Sequence, residues 1–164
     1  MTVRPRLFPA LALALTSTLA LHAHAQASDT DRAFVAKVSQ GGRYEVEASQ
    51  LAVHKAMAQD VKDLAVAEVH DHQLVGAKLK EISTAEGAPI APTLSADFQQ
   101  KLDHLKTLSG SAFDSAYLAE MDTIHDKDEK LFAQESMDGT PKYKAFAGET
   151  DRIVKRHIGA LHGV

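Results

Sequence analysis

The chain contains no cysteine, and this absence excludes several kinds of protein. Among its 164 residues there is no Cys, so disulfides, a lipid anchor on cysteine and a cysteine nucleophile are all excluded. Stability must therefore come from a packed core. Tryptophan is also absent, and aromatic residues make up only 5% of the chain. Because strands favour aromatic and β-branched residues, this composition predicts a mainly helical protein.

Signatures of two common enzyme classes are also missing. The sequence has no Gly-rich phosphate loop and no Gly-x-Ser-x-Gly nucleophile turn, so neither a kinase nor a serine hydrolase is indicated. Long apolar runs are confined to the start of the chain. What the sequence does contain is a possible targeting segment, a series of amphipathic helices and an unusual set of inward-facing polar residues.

The first 25 residues have the composition of a signal peptide. Arg4 and Arg6 give a positive start, the stretch 7–21 is apolar, and the stretch 23–25 (AHA) has the small-x-small pattern of a cleavage site. The apolar stretch is too short for a convincing membrane anchor. We therefore expect residues 1–25 to be removed and residues 26–164 to form one periplasmic or secreted domain without a membrane span. Association with the outer membrane remains open.

The expected mature chain is acidic. The first 25 residues carry two Arg and no acid, which leaves 16 basic and 22 acidic residues and a net charge of −6. Such a charge argues against nucleic acid and anionic membrane surfaces as partners. A protein partner and a homo-oligomer both remain open, because nothing in the sequence specifies either.

Apolar residues recur at alternating spacings of four and three, which is typical of helices in a bundle. This spacing predicts long helices over about 30–58, 60–85, 112–137 and 141–161, and a short helix over about 95–108. Tight turns near Gln59 and Gly139 make two antiparallel hairpins. The long middle connection allows two orders. The short helix either returns the chain along the bundle, in ferritin-like order, or crosses its end, in up-down-up-down order.

Polar residues occupy inward positions on all four long helices. The first helix carries Glu45, the second carries Glu68 and His72, the third carries His125, and the fourth carries His157. Glu68 and His72 are four apart, so they share a helix face. When residues are counted along the chain from the turns near Gln59 and Gly139, these side chains lie near mid-height of the bundle, about halfway along it. We therefore predict that all five lie inside the bundle and interact within each hairpin. Glu149 and Ile153 are expected on the same face as His157.

Two interpretations of this polar set remain open. Carboxylates and imidazoles from several helices suit a divalent transition metal. A buried Glu–His network that only fixes the helix register is the alternative. A standard di-iron site is disfavoured, because its template needs Glu-x-x-His on two helices, and Val154 stands three residues before His157. Asp114 is expected to act as a helix-start charge. Three other histidines are expected to be solvated: His54, His104 and His162.

Several stretches resemble a known family of bacterial proteins, the ferritin-like family catalogued as domain of unknown function 4142. They are 41–47 (GGRYEVE) with Leu51-Ala52, 61–65 (VKDLA) with Asp71-His72, 113–118 (FDSAYL) with His125, and Phe146-Ala147 with His157. The resemblance covers about 30–162. Its members are common as exported or predicted outer-membrane proteins. Carried over residue by residue, the matches of this resemblance fall on Glu45, Asp71, His72, Asp114, Tyr117, His125 and His157.

The resemblance implies an all-α, ferritin-like four-helix bundle with a short extra helix in the crossover between the second and third long helices. It implies no settled activity. One departure is Asp151, where family members often have Pro. The family and the polar set together favour an exported protein that binds a divalent transition metal or acts in envelope stress. The predicted metal ligands are Glu45, Glu68, His72, His125 and His157.

Two other functions remain open, and no catalytic residue is assigned. The first is a non-enzymatic structural or interaction protein whose buried polar network only fixes the bundle. The second is a metal-dependent oxidoreductase, which the incomplete di-metal ligand set disfavours.

Signal cleavage is testable on protein purified from its native host. Because the small-x-small pattern ends at Ala25, mass spectrometry should place the N-terminus at Gln26 or within two residues of it. Intact Met1 on protein from the cytosolic fraction contradicts the export prediction.

Overall fold

The computed structural model describes residues 26–163, and this range folds into five α-helices with no strand. The predicted all-α class is confirmed. The helices are α1 (Asp29–Lys55), α2 (Gln59–Glu86), α3 (Ala96–Thr107), α4 (Gly110–Asp138) and α5 (Pro141–Leu161). The predicted signal peptide lies outside the described residues. Between residues 26 and 163, no helix combines the length and apolar character that crossing a bilayer requires.

The four long helices pack as two hairpins, α1 with α2 and α4 with α5. Helix α1 runs antiparallel to α4, because Phe34 packs on Phe132 at one end and Met57 contacts Asp114 at the other. Helix α2 likewise runs antiparallel to α5, where Glu86 pairs with Lys142 and Asp71 contacts His157.

The order of the helices is the ferritin-like one. Since α1 is antiparallel to both α2 and α4, helices α2 and α4 are parallel, and the chain must cross the length of the bundle between them. Helix α3 makes this crossover along the outside of α1. Gln40 donates to the carbonyl of Thr93 at 2.7 Å, Tyr44 stacks on Phe98, and Lys55 donates to the carbonyl of Lys106 at 2.6 Å. The up-down-up-down order is therefore excluded.

Local sequence signals account for four of the ten helix ends. Ser28 caps α1 through a reciprocal capping box with Asp31, and Ser95 caps α3. Gly87 ends α2 with a φ of 69°, a left-handed conformation that favours glycine. Pro141 occupies the first turn of α5.

The turn between α1 and α2 differs from the sequence prediction. Helix α1 was expected to continue to about residue 58 but ends at Lys55. The carboxylate of Asp114, on α4, accepts the backbone N–H groups of Met57 and Ala58, each at 2.9 Å. These bonds hold the turn in a non-helical conformation. Asp114 therefore fastens one hairpin to the other, in place of its expected role as a helix-start charge.

Two apolar clusters fill the bundle, one towards each end. One cluster includes Phe34, Leu79, Phe132 and Tyr143, and the other includes Leu64, Phe113, Tyr117 and Leu161. Along each long helix the inward polar residues come between the residues of these clusters. The apolar core is thus divided by a polar layer near mid-height.

A carboxyl pair lies at the end of the bundle where α1 meets the α4–α5 turn. Asp31 accepts the backbone N–H groups of Ser28 at 2.6 Å and Thr140 at 2.9 Å. Glu135 lies beside it and is 2% exposed. Burial and the neighbouring Asp31 raise the pKa of Glu135 to about 7. In the folded protein Glu135 therefore keeps its proton well above the pH at which an unfolded glutamate loses it.

This pair generates a prediction for Glu135→Gln. Because the raised pKa favours the protonated form, native stability falls as the pH rises from about 4.5 through about 7, and glutamine avoids this loss. Urea unfolding should show a difference on the order of 1–3 kcal/mol in favour of Glu135→Gln near pH 8, and little difference near pH 5. The exposed Glu149→Gln is the matched control. A less stable Glu135→Gln near pH 8 contradicts the assignment.

Candidate metal centre

The polar layer brings together the five residues predicted from the sequence. Glu45 comes from α1, Glu68 and His72 from α2, His125 from α4 and His157 from α5, and none is more than 5% exposed. Their inward direction follows from the spacing of four and three that places each residue on the buried face of its helix. The contacts run within both hairpins, as predicted, and also between them.

One carboxylate oxygen lies at the centre of the cluster. Glu68 Oε2 is 3.1 Å from His72 Nε2, 3.3 Å from His125 Nε2 and 3.0 Å from His157 Nδ1. His125 Nε2 and His157 Nδ1 are 3.2 Å apart. Three imidazole nitrogens from three helices thus converge on a single oxygen.

These separations suit a tetrahedral metal ion. An ion with bonds of about 2.0–2.1 Å to nitrogen and oxygen holds its ligand atoms about 3.3 Å from one another. The four separations above lie between 3.0 and 3.3 Å. One ligand atom from each of the four residues lies within 4.8 Å of all the others. Four of the six separations within this set of four atoms therefore already lie close to those of a tetrahedral ion.

In each of the three histidines, the ring nitrogen that points away from Glu68, here called the outer nitrogen, has a partner of its own. His125 Nδ1 donates to the carbonyl of Met121 at 2.8 Å. His157 Nε2 lies 2.8 Å from Asp71 Oδ2, and His72 Nδ1 lies 3.3 Å from Glu45 Oε2. A partner of this kind fixes the ring orientation and, in a neutral ring, leaves the inner nitrogen without a proton. This is the usual arrangement of metal-binding histidines.

Asp71 is held as an anion behind His157. Arg156 pairs with the same carboxylate from α5, and His70 approaches it from the solvent side. Burial raises the pKa of Asp71, but the contacts with His157, His70 and Arg156 outweigh it and lower the pKa to about 2. Asp71 therefore stays ionised over the whole neutral range and can accept a hydrogen bond from the N–H of His157 Nε2.

The charges in the centre of the layer depend on one another. Burial raises the pKa of Glu68, but the surrounding rings of His125, His157 and His72 lower it well below its usual range. Burial lowers the pKa of His125, yet Glu68 and Glu45 raise it to about 9. The pKa of His72 is raised by the same two carboxylates, against its burial. Without a metal, protons on these two rings balance the buried carboxylates.

Several polar atoms of the layer make close contacts without a well-aligned hydrogen bond. They are both carboxylate oxygens of Glu45, both of Glu68, and His72 Nε2. A buried polar group left without a hydrogen bond costs about 1–3 kcal/mol. A cation placed among the inner atoms would satisfy Glu68 and His72 together.

Two further polar residues of the layer, Asp128 and Ser49, are not among the predicted metal ligands. Asp128 is buried beside Glu45, and burial together with Glu45 raises its pKa to about 8. Ser49 Oγ lies 2.8 Å from the hydroxyl of Tyr117, which closes one side of the layer. A signal for Ser49 existed, because it follows Glu45 by four residues on the same helix face.

The prediction for one face of α5 was wrong. Glu149 is exposed and Ile153 is only partly buried, whereas Thr150 and Val154 face inward with His157. The buried residues Thr150, Val154 and His157 are separated by four and then three positions. The prediction instead counted back from His157 in two steps of four, to Ile153 and Glu149. The three histidines predicted to be solvated, His54, His104 and His162, are all exposed, as expected.

The fold and the polar layer define a ferritin-like bundle with a buried Glu/His cluster. The family described as "Domain of unknown function (DUF4142)" matches residues 16–163. The chain therefore belongs to this family, as its motifs indicated.

A solved structure of similar fold is the crystal structure of a DUF305 fragment from Deinococcus radiodurans. It superposes with a TM-score of 0.74 at 14% identity, over 84% of this chain and 96% of that chain. At this identity the likeness concerns the fold alone. No curated protein matches the chain.

The raised pKa of His125 predicts how the metal-free protein responds to pH. Its stabilising effect is complete below the unfolded pKa of about 6.5 and is lost as the pH rises through about 9. The loss is on the order of 3 kcal/mol. Urea unfolding of chelator-treated protein between about pH 6 and pH 10 should show this decline.

Variants isolate the contribution of His125. His125→Gln should remove its part of the decline, whereas the exposed His104→Gln should keep it. Equal slopes for the two variants would show that His125 does not carry the extra proton.

Proposed function

We propose that the protein is an exported four-helix bundle that holds one divalent transition-metal ion in its core. The ligands are Glu68, His72, His125 and His157. One observation carries the proposal: three imidazole nitrogens converge on one oxygen of Glu68, while the opposite nitrogen of each ring has a partner of its own. Export is supported by the composition of residues 1–25 alone.

The donor set indicates the class of metal. Three imidazole nitrogens and one carboxylate oxygen suit Zn²⁺ and the neighbouring first-row ions, whereas Mg²⁺ and Ca²⁺ prefer oxygen ligands throughout. Two ligands come from the α1–α2 hairpin and two from the α4–α5 hairpin. A bound ion would therefore link the two halves of the bundle.

Glu45 has a supporting position in this proposal. Its Oε2 faces the outer nitrogen of His72, and its Oε1 lies 3.7 Å from His125 Nε2. It thus orients one ligand and adds negative charge beside another, and it is near enough to the inner atoms to complete a five-coordinate ion.

Binding should exchange protons for metal. His72 and His125 have raised pKa values in the metal-free protein, and both must be neutral to coordinate. Replacing two protons by one divalent ion leaves the charge of the layer unchanged. Affinity should therefore increase with pH up to about 9, the pKa of His125. A protein of this kind would bind a transition metal outside the cytoplasm, and the predicted role in envelope stress is compatible with that activity.

A purely structural network is the second candidate function. It is favoured by the same charge balance, because protonated imidazoles can neutralise Glu45 and Glu68 without any metal. The two candidates differ in whether a metal ion stabilises the folded protein.

The metal proposal predicts stabilisation by added ions. In protein stripped with chelator and carrying no affinity tag, Zn²⁺ at 100 times its dissociation constant should raise the free energy of unfolding by about 2.7 kcal/mol. Mn²⁺ should act in the same direction. The measurement is urea unfolding with and without the ion.

Variants test the ligand assignment. The stabilisation should vanish in His72→Ala and His125→Ala and persist in the exposed control His104→Ala. No effect of any divalent ion on wild-type protein would leave only the structural network. Glu68→Gln should then still change stability by about 1–3 kcal/mol, because the central hydrogen-bond acceptor is altered.

A further inference from the structure

A cavity of about 360 Å³ lies between α1, α2 and the connection that follows α2. Some of its lining residues are exposed to solvent and mark its mouth: Gln73, Gly76 and Lys80. Others belong to the buried polar layer and mark its inner end: Glu45, His72 and Asp128. The space is many times the ~30 Å³ that one water molecule occupies in the liquid. The cavity therefore gives a hydrated ion room to pass from the surface to the layer.

Of the four proposed metal ligands, His72 alone lines this cavity. It is also the most exposed of the four, at 5%, whereas Glu68 and His125 are 0% exposed and His157 is 1% exposed. An ion inside the cavity would therefore meet His72 before it met any other ligand.

His72 is also held less firmly than the other two histidines. His125 and His157 each have a contact of 2.8 Å at the outer nitrogen. The outer nitrogen of His72 is 3.3 Å from Glu45, and its inner nitrogen has no well-aligned hydrogen bond in the described part of the chain. Because the oxygens of Glu68 are buried, a ring must turn aside before an ion can reach them. The ring of His72 is the least constrained of the three.

Asp128 places a carboxylate at the inner end of the cavity. It keeps 7% exposure, whereas Glu45 has none. Its surroundings act on it through burial and through the charges of Glu45, His72 and His125, and no group in the described range donates a hydrogen bond to it. A divalent cation at this point would balance the carboxylate, in place of the proton that burial and Glu45 otherwise favour.

Two glycines leave the cavity open. Gly42 on α1 and Gly76 on α2 both line it, and a Cβ atom added at either would meet nothing within 4 Å. Gly42 lies one turn from both Val38 and Val46, which also line the cavity. A larger side chain at either glycine would therefore occupy space that is now open.

The charges near the mouth do not bar a cation. Arg43 and Lys80 are positive and Glu47 is negative. Arg43 donates to the carbonyl of Ala91 at 3.4 Å, and Lys80 is exposed to solvent, where salt screens its charge.

The side of the centre next to His157 is less suited to entry. Asp71 covers His157 there and pairs with Arg156 from α5. A guanidinium in this position repels an approaching cation, and the carboxylate beside it is already occupied.

We propose that a divalent transition-metal ion enters and leaves the centre through this cavity, passing Asp128 and meeting His72 first among its ligands. The inference rests on the proposed metal function and adds the route by which that site is filled.

Stopped-flow mixing of chelator-treated protein with Co²⁺ tests the route, because the visible absorption of Co²⁺ intensifies on tetrahedral coordination. Gly42→Leu should slow uptake, and also release to excess chelator, about tenfold or more, which corresponds to a barrier higher by about 1.4 kcal/mol or more. Because a narrowed path slows both directions equally, the dissociation constant should not change. Gly76→Leu provides the same test if Gly42→Leu does not fold.

Gly148→Leu is the matched control. Like Gly42, Gly148 is a half-buried helical glycine with open space at its Cβ position, but it lies on α5 and away from the cavity. The control should keep the wild-type rates. Wild-type rates in a folded cavity variant, equal slowing in the control, or weaker affinity without slower uptake each overturn the proposal.

Arg156→Gln examines the other side of the centre. Faster uptake in this variant, together with wild-type rates in Gly42→Leu, would assign entry to the side of Asp71 and overturn the proposal.

The outcomes separate the route from the metal function. If the wild-type protein binds no Co²⁺, the metal function fails and the route fails with it. If Co²⁺ binds at rates that the cavity variants do not alter, only the route is overturned.

Discussion

Contact between one buried carboxylate and three imidazole rings is the constraint on which this bundle depends. Glu68 is fully buried, and a buried charge without partners costs several kcal/mol. Its partners come from α2, α4 and α5, so the charge is balanced only when both hairpins are assembled. The polar layer therefore disfavours other helix registers and other helix pairings, because a shift of one helix along another would separate the Glu68 carboxylate from its imidazole partners.

The ferritin-like order follows the same requirement. Because α3 carries the chain back along α1, α4 runs antiparallel to α1 and α5 runs antiparallel to α2. This order brings His125 and His157 to the height of Glu45 and His72. Apolar clusters above and below keep water from the layer and strengthen its electrostatic interactions. The hydrogen bonds from the α1–α2 turn to Asp114 add a second, polar link between the hairpins.

Much of this arrangement could be predicted from the sequence. In a helical bundle, the spacing of residues along the chain determines which face of a helix they occupy and how far they lie from a turn. The inward direction of Glu68 and His72 and their shared height with Glu45 follow from helix periodicity and the two turns. Contacts between hairpins could not be derived in the same way, since they depend on the crossover. Glu149 was misplaced because spacings of three and four differ by 100° around a helix.

The most direct test of the metal centre is an anomalous difference map from crystals grown with Zn²⁺ and measured at the zinc absorption edge. A single buried peak about 2.0–2.2 Å from Glu68, His72, His125 and His157 is the predicted result. Peaks only at exposed histidines such as His104, with the buried layer unchanged, would contradict the proposed metal centre.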